Sequence, residues 1–394
     1  MTGGIYLNAL GLINPLGVGK AAVCDGLFRG VTSGMSRSDS WFADRPVFVG
    51  PVTEILPDVA PEHKLYESRN NRLLLAALTE IEDDIRRAIT AYGPDRVAVI
   101  LGTSTSGVGD NELGIAHKMA EGAFPAGFDY DRQDNASPSM FVRRYFGLSG
   151  PTMTVSTACT SSAKTLASAR RMIEAGICDA AIVGGADSLC KLTLNGFASL
   201  ELLSETLCNP FSRNRNGINI GEAAAVFLMT RKEAAVRVAG VGETSDAYHM
   251  STPDPEGSGA VNAMKQALES SEYTAADLAY INLHGTATVL NDSMEGKAVS
   301  ELLGEVPCSS TKPLTGHTLG AAGSTELAFL WLALQEDYAH HKLPPHIWDG
   351  ETDPEMSPLN LVEVGATKDA GRPAMMTNSF AFGGNNISVV LAGA

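Results

Sequence analysis

Ten short apolar runs rich in β-branched residues, five in each half of the chain, constrain this sequence more than any other feature. They fall at residues 4–10, 97–101, 152–156, 180–183 and 224–229, and again at 236–242, 279–283, 306–310, 374–377 and 387–391. Helix-compatible stretches lie between them at 72–91, 159–175, 260–270, 292–303 and 321–335. Runs this short, apolar at consecutive positions, belong to strands covered on both faces. Their alternation with helices predicts an α/β chain of helices layered over sheets. A chain of 394 residues exceeds what one core usually holds, so two packed units are expected. The segments VSTACTSSA around Cys159 and CSSTKPLTGH around Lys312 both close a strand in small polar residues before a helix, an internal echo that suggests duplication. The boundary is expected at 231–237, which divides the chain into 1–235, carrying Cys159, and 236–394. The 40 glycines are spread as strand-to-helix punctuation and form no linker.

Composition then narrows the function classes. A net charge of -16 repels nucleic acid and anionic membrane, so an acidic partner would need a local basic patch. No apolar run reaches the roughly 18 residues of a membrane span, and the N-terminal segment lacks the basic start of a secretory signal. A cytoplasmic location is expected. The six cysteines show no C-x-x-C pair, so neither a zinc knuckle nor a disulfide framework is suggested, and no metal is expected.

Four segments could carry chemistry. Cys159 stands where an apolar β-branched run turns into a small-residue helix. Unpaired amides at a helix start favour the thiolate and can hold an oxyanion. His284 closes a strand in LHGTAT, where a neighbouring glycine allows close approach. Lys312 and His317 lie in STKPLTGHTLGAAG; a helix-packing motif would explain its glycines and alanines but not its lysine and histidine. The fourth, NSFAFGGNN at 378–386, is a glycine-rich aromatic turn able to cover a hydrophobic pocket. One cysteine, two histidines and one lysine, each at a strand end, fit a nucleophile with neutral donors that polarise a carbonyl.

With GGADS at 184–188, NPFSRNRNG at 209–217 and DAYHM at 246–250, these segments resemble the elongating β-ketoacyl-acyl-carrier-protein synthases of the thiolase superfamily through nearly the whole chain. The resemblance implies a thiolase fold: two duplicated α/β halves with mixed five-stranded sheets and buried helices in five α-β-α-β-α layers. It places the nucleophile at Cys159 and the catalytic histidines at His284 and His317. The family lysine falls on Lys312, with Glu295 its expected ion-pair partner, and Phe382 is the gate. The amides of Cys159 and Phe382 would form the oxyanion hole, and Thr286 and Thr288 would bind pantetheine. Residues 107–147 are expected at the dimer contact and acyl pocket.

The implied reaction is acyl transfer to Cys159, then decarboxylating condensation with a malonyl thioester. Its substrates ride on the phosphopantetheine of an acyl carrier protein, and no other cofactor is implied. Docking of that acidic partner is expected at Arg69, Arg72, Arg143, Arg144, Arg213 and Arg215. The chain is expected to pair with itself, or with a related ketosynthase or chain-length-factor subunit. Ala381, Asn385 and Val289 depart from the usual family residues and suggest a specialised polyene or polyketide enzyme. Three rivals differ in what they need: a partner subunit that only shapes the acyl tunnel, a non-decarboxylating thiolase-fold acyltransferase, and a zinc hydrolase.

Overall fold

The computed structural model describes residues 4–42 and 44–394. All ten expected strands form: β1 (Tyr6–Asn14), β2 (Val97–Gly102), β3 (Thr152–Val155), β4 (Ala180–Asp187), β5 (Ala223–Thr230), β6 (Val236–Ser245), β7 (Leu278–Asn282), β8 (Cys308–Ser309), β9 (Ala374–Ala381) and β10 (Asn385–Gly393). They bond in the order β8-β7-β9-β10-β6-β1-β5-β4-β2-β3. Split between β6 and β1, this gives the same arrangement twice: within each five, the first strand lies beside the fifth, then the fourth, second and third. Directions repeat too. The second strand is parallel to the third and fourth, and the remaining pairs are antiparallel. The two sheets touch through one antiparallel register, Tyr6 opposite Arg237.

Packing follows from the two-residue period of the strands. In β2, Val97, Val99 and Leu101 face an outer layer with α1 (Arg69–Thr79), α2 (Glu82–Tyr92) and α3 (Ser137–Phe146). Ala98 and Ile100 point the other way, into the central core. That core holds α4 (Ser161–Glu174), which precedes the nine-residue helix α5 (Lys191–Ser199) in the chain. In the second half α6 (Ser258–Glu269) and α7 (Val289–Leu303) cover the outer face through Met264, Val299 and Leu303. The helix α8 (Ala322–Leu334) lies between the sheets with Leu327, Phe329 and Trp331 in the central core. The result is the α-β-α-β-α thiolase layering.

Burial on all sides explains why AGSTELAFLWLAL in α8 shows no polar face. Small residues let the central helices meet: a Cβ on Gly323 would lie 2.7 Å from Cβ of Ala163 in α4. A methyl on Gly11 of β1 would stand 1.9 Å from the Ala77 carbonyl, so α1 rides directly on the sheet.

One expected element is corrected. The helix read at 72–91 is two helices, broken at Glu80 and Ile81. The Glu80 carboxylate is held across the fold by the amide of Leu12 at 2.9 Å and by the ammonium of Lys20 at 3.3 Å.

Candidate active site

Both sheets end at one cleft of about 220 Å³, walled by Cys159, His284, His317, Thr286, Thr288, Phe380 and Phe382 among others. After β3 the chain reverses through Ala158, whose φ of 54° is left-handed, and presents Cys159 immediately ahead of α4. Such strain in a residue with a Cβ is held only where its surroundings fix it. Here Ser161 Oγ accepts from the Thr157 amide at 2.9 Å and bonds the Ala158 carbonyl at 2.5 Å.

His284 follows β7, and the glycine beside it, Gly285, has φ of 37°. The Glu295 carboxylate, nearly two turns into α7, accepts the amides of His284 and Gly285, each at 2.7 Å. Asp292 accepts those of Thr286 at 3.0 Å and Phe211 at 2.8 Å. His317 follows the short helix Lys312–Thr315. Its amide donates to the Asn219 carbonyl at 2.7 Å, and its carbonyl accepts from Gly221 at 3.0 Å. A segment of the first half thus clamps a histidine of the second.

These turns bring the reactive atoms together. His317 Nε2 lies 3.0 Å from Cys159 Sγ, and the two imidazole rings meet edge to face with centroids 5.3 Å apart. Exposure is 7% for Cys159, 1% for His284 and 2% for His317. Burial lowers both imidazoles well below 6.5, and the Lys312 charge adds to it, so both rings are neutral. Neither Nδ1 has a hydrogen-bond partner among the described residues. A stranded lone pair costs less than a stranded N–H, so each proton belongs on Nε2, toward the cleft. For Cys159 burial outweighs the helix start: desolvation pushes the thiol up to about 12, although Lys312 pulls it back. The preformed thiolate expected from position alone gives way to a thiol.

The ion pair is also corrected. Lys312 Nζ bonds Glu326 Oε1 at 2.5 Å, not Glu295, and also the His284 carbonyl. Glu295 is occupied by backbone amides, and burial raises it to about 8. Sequence reading missed Glu326, although it is the lone acid in the apolar helix α8, which is signal enough to mark it. Asp292 was missed as well; its three-residue spacing from Glu295 puts both carboxylates on one face at the start of α7.

Phe382 sits half-buried in the turn between β9 and β10, its ring 5.5 Å from that of Phe197, while Phe380 stands against His284. The hydroxyls of Thr286 and Thr288 meet at 2.9 Å on the cleft wall. Residues 107–147 contribute no wall to this cleft. The six arginines are dispersed in role. Arg69 neutralises the buried Glu222 and bonds the Val52 carbonyl, and Arg72 holds the carbonyls of Leu56 and Pro57. Arg215, with only 5% of its side chain exposed, is locked to Asp353 and cannot be a docking residue. Arg143 bonds the Leu148 carbonyl. Arg144 and Arg213 remain exposed, over Tyr66 and beside Glu351 respectively.

Donor atoms of Cys159, His284 and His317 all lie within 4.8 Å of one another, a sulfur-and-imidazole set that a soft divalent ion could also accept. What a metal centre does not require is the buried Lys312–Glu326 pair behind the histidines. Fold and site together define a thiolase-fold condensing enzyme. Family profiles match in two parts, the beta-ketoacyl synthase N-terminal domain over residues 57–235 and its C-terminal domain over 235–346, and the chain belongs to the β-ketoacyl synthase family.

Among curated relatives, a Staphylococcus aureus protein named 3-oxoacyl-[acyl-carrier-protein] synthase 2 is 31% identical over 343 residues, 82% of this chain and 83% of that one. One of the same name from Rhizobium meliloti is 36% identical over 264 residues, 62% and 61% of the two chains. A solved ketosynthase (ApeO) in complex with its chain length factor (ApeC), from Xenorhabdus doucetiae, superposes with a TM-score of 0.94 at 43% identity, covering 100% and 98%. The ishigamide ketosynthase/chain length factor gives 0.88 at 25% identity with full coverage of both chains. No helix among the described residues is long and apolar enough to cross a membrane.

Proposed function

We propose that this chain performs decarboxylating condensation of an acyl group held on Cys159 with a malonyl thioester on an acyl carrier protein, giving a 3-oxoacyl thioester. The observation that carries the reading is the 3.0 Å contact between His317 Nε2 and Cys159 Sγ, with the second neutral imidazole beside it.

In the first stage the sulfur of Cys159 attacks the acyl thioester. The carbon–sulfur bond to the carrier breaks, and the thiol proton ends on the departing pantetheine sulfur. The amides of Cys159 and Phe382 hold the oxyanion. Because the resting thiol is protonated, the sulfur becomes an anion only as it attacks, which protects it while idle. In the second stage the malonyl carboxylate leaves as carbon dioxide. Its bonding electrons form an enolate whose oxygen takes hydrogen bonds from Nε2–H of His284 and His317, in a site dry enough to make each bond count. The enolate carbon attacks the acyl carbonyl, the carbon–sulfur bond to Cys159 breaks, and the expelled thiolate takes a proton from water. Lys312 acts through the histidines: its charge adds to burial in keeping them neutral, and its bond to the His284 carbonyl fixes that strand end.

Thr286 and Thr288 support the pantetheine arm, and Phe382 gates the acyl side. Arg144 and Arg213 stand as carrier-docking cations. The reading divides the chain at 235/236, places it in the cytoplasm, and calls for no cofactor beyond the carrier's phosphopantetheine. Pairing with a chain-length-factor-type subunit, in a polyene or polyketide pathway, is favoured over pairing with itself by the 43% identity to the Xenorhabdus doucetiae ketosynthase complex.

Intact-mass measurement after incubation with an acyl carrier thioester tests the first stage. One acyl adduct, lost in Cys159→Ser, is expected; an unmodified chain would mean a scaffolding subunit. Cys159→Gln should still release carbon dioxide from a malonyl carrier thioester, and His317→Ala should not.

A further inference from the structure

Beyond the residues that wall the cleft, one contact ties the nucleophile's helix to the gate. Lys164 lies five residues after Cys159, on a partly buried face of α4. Its Nζ donates to Asn385 Oδ1 at 2.9 Å. Asn385 opens β10, directly after the turn Phe382-Gly383-Gly384.

The other hydrogen bonds of this turn come from the second half alone. Gly383 N donates to the Met250 carbonyl at 2.8 Å, the Asp246 amide to the Gly384 carbonyl at 2.8 Å, and Asn386 Nδ2 to Asp246 Oδ1 at 2.6 Å. Both glycines hold left-handed φ values, 81° and 72°, so the turn has backbone freedom that contacts must remove. The second half therefore fixes the turn to its own strands, whereas the position of Phe382 relative to Cys159 depends on a link between halves. The Phe197 ring of α5 meets the Phe382 side chain, and Lys164 supplies the hydrogen bond from the first half to the turn's backbone segment. Burial lowers the Lys164 pKa, with Glu243 opposing and Arg171 adding to the effect. Glu243 is itself engaged by Arg171 at 2.6 Å. A partly desolvated ammonium gains most from a fixed acceptor, and Asn385 supplies it.

We propose that Lys164, acting through Asn385, is a positioning residue that sets the Phe382 turn against Cys159. The inference rests on the condensing reading above, since it concerns the same acyl transfer. When the tie is made, the Phe382 amide stays in register with that of Cys159; when it is cut, the turn moves as a unit on its glycines. Asn385 is suited to the task because its side-chain amide oxygen reaches across to accept from α4.

A double-mutant cycle tests this on the complete protein. Acyl transfer to Cys159 is followed by intact mass, and carrier affinity is measured separately. Lys164→Met and Asn385→Thr are each expected to slow acylation about tenfold, the size of one lost charge-assisted hydrogen bond, with carrier affinity unchanged. The double variant should be no slower than either single one, and Lys164→Arg should recover most of the rate. Melting temperatures of all variants establish that they fold; Asn385→Thr is the substitution least disruptive to the turn. Full-rate acylation in Lys164→Met, or losses that multiply in the double variant, would overturn the inference. Failure of the unaltered protein to acylate would instead overturn the condensing reading.

Discussion

A buried lysine is tolerable only with a partner, and for Lys312 that partner is Glu326. Lys312→Met removes the ammonium and leaves Glu326, 3% exposed, without its counter-ion. The expected loss is about 3–5 kcal/mol in denaturant unfolding. Lys312→Met combined with Glu326→Leu should regain most of that stability and none of the condensation, since the His284 carbonyl still lacks its donor. A double variant as unstable as the single one would break the pairing.

Charge states belong to the same scale. The Cys159 thiol is raised above 9.0, to about 12, so between pH 8 and 10 it holds less thiolate than an ordinary cysteine. Its alkylation by iodoacetamide should climb with pH through 10 without levelling near 9; a plateau below 9 would contradict this. Both catalytic histidines are lowered below 6.5, so the unfolded chain binds protons that the folded one does not. Stability is therefore complete above about pH 6.5 and drains away as pH falls toward the folded values, by up to about 1.4 kcal/mol per histidine per pH unit. A falling melting temperature between pH 7 and 5, smaller in His317→Asn, checks the sign.

At the level of elements, the close approach of α4 and α8 sets where the sulfur can sit, because α4 begins just after Cys159. Gly323→Ala improves helix propensity by about 1 kcal/mol yet drives a methyl into Ala163. Overpacking should win, with a net loss of about 1–3 kcal/mol and a lower melting temperature. Gly196→Ala in α5, where an added Cβ meets nothing within 4 Å, should be neutral or stabilising. Equal effects at the two positions would mean that the central helices are not tightly packed.

Across the whole molecule, a charge of -16 opposes the acidic carrier proposed as its partner, so that association would depend on a few local cations. Arg144→Glu and Arg213→Glu together should weaken carrier binding about tenfold at low salt, with the difference shrinking as screening rises. Arg69 and Arg72 are poor choices for that test, because their reversal would unseat buried Glu222 and the 56–57 carbonyls. Unchanged affinity at low salt would move docking to another face.

Periodicity and strand-end chemistry alone determined much of this protein. Ten strands, the duplicated alternation, and the four polar residues at strand ends were all readable, because strand burial and turn chemistry are local properties of a chain. Tertiary structure alone decided what depends on distance between remote segments. It assigned Lys312 to Glu326 in place of Glu295, broke the helix at Glu80 to serve Leu12 and Lys20, buried Arg215 against Asp353, and turned the expected Cys159 thiolate into a thiol. In each case desolvation outweighs local preference: a charge removed from water takes whichever partner the fold brings within reach, and no spacing along the chain specifies which one that will be.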